Sequence, residues 1–199
     1  VNFLAHAYLS FDHPEVLVGN FIGDFVKGDL NAQFAPEIVI GIKLHREIDR
    51  FTDLHPLVKE SQLLLKPVFS RYSSVITDMF FDYFLAKNWH QHHTVPLEEF
   101  AENTYRLMET HRNILPKKFS EALKYMQKEN WLVAYGTTAG IKRALTGISY
   151  RTTFKSNLEK APYYLEKHHR EFEGYFNAFF PELTIFSGNK LKELKTQLL

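Results

Sequence analysis

Apolar residues recur along the chain at intervals of three and four, and strict apolar–polar alternation is scarce. The pattern predicts an all-α protein. A first helix starts at Asn2, runs through Phe3, Leu4, Ala7 and Tyr8, and breaks at Asp12-His13-Pro14. Pro14 suits the first turn of a second helix, which runs to about Lys27 and ends at Gly28-Asp29. Pro36 opens a third, to about Asp53, with Ile38, Ile42 and Ile48 on its apolar side. His55-Pro56 separates it from a fourth over 57–68. A fifth, from Ser73 to His90, carries Ile76, Met79, Phe80, Tyr83 and Phe84 at helical intervals. Further helices are predicted over 96–114, 116–129, 137–150 and 156–179. Pro181 is expected to stop the last of these, and the tail from Asn189 to Leu199 to form one short amphipathic helix. With no repeat or low-complexity linker, the expectation is one compact helical domain over 1–199.

Composition narrows the chemistry. Hydrophobic residues make up 45%, including 18 Phe and 10 Tyr, so the chain can bury a substantial core. The balance of 24 basic and 23 acidic residues is not that of a general nucleic-acid binder. Charged residues or His interrupt every candidate membrane span, and Val1 to Leu9 lacks the basic leader and long apolar segment of a signal peptide. Neither nucleic acid nor membrane is an expected partner. The absence of cysteine excludes disulfides, thiolate metal sites and a cysteine nucleophile, and fits a cytoplasmic protein. Ligands for a metal would be His, Asp, Glu or carbonyl oxygens, a set that suits Mn²⁺, Mg²⁺, Fe²⁺ or Zn²⁺. No nucleophile elbow, P-loop or dinucleotide fingerprint is present.

Ionisable residues on apolar helix faces are the candidate chemistry. His45 and Asp49 are four apart, with Cβ atoms roughly 5–6 Å apart on one helical face. They form either a surface pair or two groups that meet one ion. Asp78 and Asp82 share a face of an intensely apolar helix, where two carboxylates repel and resist desolvation. A cation, or Arg46, Arg50 or Arg71, would relieve them. Asp24 is a lone acid in an apolar stretch flanked by Gly19 and Gly23, which allow either close helix packing or space for a ligand. His6 is similarly isolated among Phe3, Leu4, Ala5, Ala7 and Tyr8. One bound cation would serve several of these groups at once. His90, His92, His93, His168 and His169 look like solvated loop and helix-end residues.

These residues carry a resemblance. Asn2-Phe3-Leu4-Ala5-His6, the run from Gly19 to Gly28, the run from Gly41 to Asp49, Thr52-Asp53, and Asp78 to Ala86 together resemble the acyl carrier protein phosphodiesterase family, also called ACP hydrolase. Trp89, Trp131-Leu132 and the stretch from Gly147 to Arg151 extend the likeness over nearly the whole chain. Family members usually carry Met before Asn-Phe-Leu-Ala-His, where this chain has Val1.

The resemblance implies a divergent, HD-domain-like helical phosphohydrolase, although the His-Asp dipeptide that names that fold is missing here. It implies hydrolysis of the phosphodiester that joins 4′-phosphopantetheine to a serine of holo-acyl carrier protein, with Mn²⁺ as cofactor, or Mg²⁺ or another divalent ion. Expected ligands are Asp24, His45, Asp49, Asp78 and Asp82, with Asp24, His45, Asp78 and Asp82 foremost and His6 and Asp49 behind them. Asp24 or Asp49 would take a proton from the attacking water, and His6 would be a ligand or protonate the leaving serine. Arg46 and Arg50 would stabilise phosphoryl charge or pair with a carboxylate. Acyl carrier proteins are acidic, so Lys27, Lys43, Arg46, Lys66 and Arg71, then Lys117-Lys118, are candidates for a docking face. Two other readings stay open: a metal phosphohydrolase of a nucleotide or other small phosphoester, and a non-enzymatic helical module in which the acids pair with arginines.

Overall fold

The computed structural model describes residues 1–150, 152 and 156–197, and no strand occurs among them. Among the described residues twelve α-helices follow one another: α1 (Phe3–Tyr8), α2 (Pro14–Ile22), α3 (Pro36–Leu54), α4 (Pro56–Leu63), α5 (Lys66–Phe69), α6 (Ser73–Lys87), α7 (Leu97–Thr110), α8 (Lys117–Lys128), α9 (Trp131–Ala134), α10 (Thr138–Ser149), α11 (Ala161–Lys167) and α12 (His169–Thr196). The all-α expectation holds. Residues 198 and 199 of the predicted tail, and Arg151 of the Gly147 to Arg151 stretch, lie outside the described residues.

Proline placement explains several starts. Pro14, Pro36 and Pro56 each sit in the first turn of a helix, where the missing N–H has no intrahelical partner to lose. Pro181 behaves otherwise. It lies inside α12, which continues through it to Thr196, so neither the predicted stop nor a separate tail helix occurs. An internal proline costs about 3 kcal/mol. Burial of a large apolar side chain returns roughly 1.5–3 kcal/mol, and Phe179, Phe180, Leu183, Leu191 and Leu194 are all buried around or beyond the proline. Phe186 also stacks on Phe51 of α3, with ring centroids 4.3 Å apart. Packing outweighs the local break.

Other boundaries shift. The second helix ends at Ile22 and passes into a 3₁₀ turn, Gly23–Phe25, rather than running to Lys27. The predicted fourth helix divides into α4 and α5, and the predicted 156–179 helix divides at His168.

α6 lies at the centre and is buried on nearly every side, as expected for a helix apolar all round. Phe80 meets Phe172, and Phe81 and Phe84 meet Phe176, at centroid distances of 5.1–5.9 Å. α1 packs against α2 and α6, and α12 lies along α3, α4 and α6.

The pair α2 and α3 approach closely. A Cβ added to Gly19 would run into the carbonyl oxygen of Ile38, and one on Gly41 into that of Val16. The two backbones touch because neither residue has a side chain. Gly41→Ala is expected to push the helices apart at a cost of about 1–3 kcal/mol, which for a domain of this size lowers the melting temperature by roughly 2–4 °C per kcal/mol. An unchanged melting temperature would show that the crossing tolerates the extra methyl.

Candidate metal centre

The site gathers residues from the first three helices. His6 is on α1, Asn20 on α2, Asp24 on the 3₁₀ turn that follows, and His45, Asp49 and Asp53 on successive turns of α3. Gly23 makes the assembly possible, since a Cβ there would collide with the His45 ring. Of the two glycines around Asn20, Gly19 therefore serves helix packing and Gly23 serves the site.

Asn20 is fully buried and holds both imidazoles. Its Nδ2 donates to the His6 carbonyl at 2.8 Å and to Ser10 Oγ at 3.1 Å, which fixes its Oδ1 as the atom facing His6 Nδ1, 2.8 Å away. Its backbone carbonyl lies 2.7 Å from His45 Nδ1. A carbonyl only accepts, so both rings carry a proton on Nδ1 and turn Nε2 the other way.

Both Nε2 atoms point to Asp49. His6 Nε2 is 3.2 Å from Asp49 Oδ1, and His45 Nε2 is 3.1 Å from Asp49 Oδ2 and 3.2 Å from Asp24 Oδ1. The rings stack with centroids 4.1 Å apart. His45 Nε2 is buried, yet neither nearby oxygen lies along its N–H direction, so it has no well-formed hydrogen bond. Donor atoms that converge on a common point, instead of on one another, are what a shared cation requires. His6, His45 and Asp49 each offer one such atom, all within 4.8 Å of one another. The residues present thus fit a divalent ion, and Asn20 supplies the orienting contacts behind both imidazoles.

The charges here set one another. Burial opposes a charged His45, but the carboxylates of Asp24 and Asp49 beside it raise its pKa to about 9. Burial, reinforced by the neighbouring His45, lowers His6 to about 4. Burial also opposes ionised Asp49, but His45 and His6 outweigh it and hold the carboxyl well below its usual range. Asp24 is lowered by His45.

The cluster opens into a cavity of about 250 Å³, whose walls include Asp24, Asp53, Ser74 and Asp78. Asp78 thus borders the cavity, with Oδ1 2.6 Å from the α-amino group of Val1. Asp82 stands apart. It is fully buried and accepts the backbone N–H groups of Asn2 at 3.1 Å, Leu4 at 2.8 Å and Ala5 at 3.4 Å, so both oxygens are spent on the start of α1. Burial pushes its carboxyl up to about 7. The order expected from the sequence changes in part: His45 is in the cluster with Asp24 beside it, His6 and Asp49 join it, and Asp82 is outside it. Arg46 donates to the carbonyl of Val26 at 3.2 Å, and Arg50 borders a separate cavity with Phe51 and Phe186. Neither arginine lines the metal cavity.

Sequence reasoning passed over Asp53 and the role of Asn20. Asp53 repeats the His45–Asp49 spacing one turn on, so extending the stripe would have found it. Asn20 gives no such signal beyond being a polar residue in an apolar helix.

An all-α scaffold with a two-histidine, one-carboxylate site at the edge of a cavity belongs to the class of candidate divalent-metal proteins. The family described as acyl carrier protein phosphodiesterase matches residues 1–183. Proteins named acyl carrier protein phosphodiesterase from Photorhabdus laumondii, Yersinia pestis and Escherichia coli O139:H28 are 32%, 33% and 31% identical over 96%, 92% and 96% of this chain, and 96%, 95% and 99% of their own lengths. The chain belongs to the acyl carrier protein phosphodiesterase family. No solved structure matches it.

A histidine more easily protonated in the fold than in the unfolded chain stabilises the fold below its unfolded pKa, and that contribution fades as pH rises through the folded value. Chelator-treated protein is therefore expected to lose thermal stability between pH 6.5 and about 9 as His45 gives up its proton. Saturating Mn²⁺ should reduce the slope, because a cation takes the proton's place. Melting curves in which His45→Gln keeps the same slope would refute this assignment.

Proposed function

We propose that this protein is a metal-dependent phosphodiesterase that cleaves holo-acyl carrier protein, releasing 4′-phosphopantetheine and the apo carrier protein. The observation that carries the reading is the pair of imidazoles held by Asn20 with both Nε2 atoms converging on Asp49, in a chain whose relatives are named acyl carrier protein phosphodiesterase. His6, His45 and Asp49 are the proposed ligands, and Mn²⁺ the proposed ion. An ion there supplies positive charge to the phosphoryl oxygens and makes water a better nucleophile. The HD-like character of the helical scaffold belongs to the same proposal.

The remaining work falls to this chain's own residues. Asp24 has an exposed side chain at the mouth of the cavity, with Oδ1 3.2 Å from His45 Nε2. It is placed to accept the proton of the attacking water. The water oxygen bonds to phosphorus, the bond from phosphorus to the serine oxygen breaks, and that oxygen leaves on the open side with a proton from solvent. Asn20 keeps both rings in the tautomer that leaves Nε2 available. Asp78 and Asp53 add negative charge to the wall and favour a cation. Asp82 acts indirectly, by holding the start of α1 and so the position of His6.

The carrier protein needs a face to dock on. Lys27 follows Asp24 by three residues, Lys43 and Arg46 flank His45, and all three are exposed. Lys66 and Arg71 are exposed as well. An acidic carrier protein would be drawn to the Lys27–Lys43–Arg46 side of the mouth.

Mass spectrometry of holo carrier protein incubated with this chain and Mn²⁺ is expected to show loss of the phosphopantetheine mass. Release from a nucleotide or other small phosphoester alone would favour the competing phosphohydrolase reading. Ala in place of His6, His45, Asp49 or Asp24 should abolish turnover while circular dichroism stays helical. Asn20→Ala is expected to weaken Mn²⁺ binding by about 10–100-fold, as measured by calorimetry. Normal affinity in that variant would remove the Asn20 side chain from the centre. A Michaelis constant for holo carrier protein that ignores ionic strength would count against the basic docking face.

A further inference from the structure

A phosphodiester has two branches, and only one of them is a protein. The proposed reaction therefore asks where the other branch goes. A second cavity, of about 440 Å³, adjoins the metal cavity and shares Asn2, Phe3 and Phe25 with it as walls. Its size falls within the roughly 300–1,000 Å³ of pockets that hold small ligands. Beyond the shared residues it is bounded by Tyr125 of α8, Trp131 of α9, Tyr135 just after α9, and Ala144 and Ile148 of α10. It is distinct from the cavity that Arg50 borders and shares no lining residue with it.

Tyr135 is the telling residue. Its side chain is 2% exposed, and its hydroxyl makes no hydrogen bond among the described residues. Buried polar groups are normally paired, because leaving one unpaired costs about 1–3 kcal/mol. The hydroxyl is also not sealed in the packing as the orphaned oxygens of Thr77, Ser156 and Ser187 are. Tyr135 itself is one of the residues that border the cavity. By contrast, Tyr105 spends its hydroxyl on the backbone N–H of Leu132 at 3.1 Å, and so pins α9 and the Trp131 that α9 carries. One tyrosine builds the wall, and the other presents a free hydroxyl to whatever the wall encloses.

We infer that this aromatic cavity seats the 4′-phosphopantetheine arm while its phosphate lies at the metal centre. The inference rests on the phosphodiesterase reading. The arm's chemistry runs in the order the walls require. Next to the phosphate comes a gem-dimethyl carbon, which suits the shared faces of Phe3 and Phe25. Two amides follow, whose carbonyls accept from a hydroxyl such as that of Tyr135 and whose planes pack on aromatic rings. Lys118 and Glu121 stand at the exposed border, where the thiol end of the arm would meet solvent. A purely apolar chain would leave the Tyr135 hydroxyl unpaired, so a fatty acyl group is the poorer occupant.

The test uses pantetheine itself, which has neither phosphate nor protein, so its binding is read without metal or cleavage. Calorimetric titration of the full chain is expected to show binding. Tyr135→Phe should weaken it about five- to ten-fold, and Ala144→Phe, which fills the cavity, should abolish it. Both variants should raise the Michaelis constant for holo carrier protein more than they lower kcat. A tyrosine with only structural duties would leave pantetheine binding alone. Pantetheine affinity unchanged in both variants, or displacement of pantetheine by a medium-chain fatty acid at lower concentration, would overturn the inference. Pantetheine that binds and is weakened as expected, in a protein that cleaves no holo carrier protein, would uphold the arm site and refute the hydrolytic reading.

Discussion

One buried asparagine holds this site together. The Asn20 side chain touches α1 through the His6 ring and carbonyl, its backbone carbonyl touches α3 through the His45 ring, and the residue sits on α2 itself. A buried amide of this kind is demanding, since each unpaired donor or acceptor would cost about 1–3 kcal/mol. Every one of its contacts therefore specifies a position. The side-chain amide ties α2 to α1, the backbone carbonyl of the same residue ties α2 to α3, and the two together set the tautomer of both imidazoles. Structure and chemistry are settled by one set of bonds.

That network depends on how near α2 and α3 come to each other. His45 reaches the carbonyl of Asn20 only because Gly19 and Gly41 let the backbones touch and Gly23 leaves room for the ring. On the other side, Asp82 takes three backbone N–H groups at the start of α1 and ties it to the central helix α6. A carboxylate at a helix N-terminus is well placed, because the free N–H groups and the helix dipole both favour it. Asp82, one of the ligands expected from the sequence, instead holds the helix that carries His6.

The cluster is unbalanced without a cation. Two carboxylates crowd His45 Nε2 without hydrogen-bonding well to it, and stacked imidazoles 4.1 Å apart cannot both be charged at low cost. His45 is accordingly held as the imidazolium, and His6 is held neutral with its proton on Nδ1. A divalent ion would replace that proton and give all the convergent atoms a common partner, which is the physical reason to treat the group as a binding site instead of a surface ion pair.

The sequence by itself determined the helical class, most helix starts, and the pairing of His45 with Asp49, because those depend on local spacing and on proline at first turns. It also carried the family, through ordered motifs. It did not determine the length of α12, since the cost of Pro181 is local and the aromatic contacts that outweigh it come from α3 and α6. Nor did it tell which acids share the site. Asp82 and Asp49 look alike along the chain: each is an acid four residues from another ionisable group on an apolar helix. Only the tertiary structure separates them, by laying the start of α1 across Asp82 and turning Asp49 towards two imidazoles. Spacing reports which side chains share a face of one helix, but a metal site is made where faces of several helices meet.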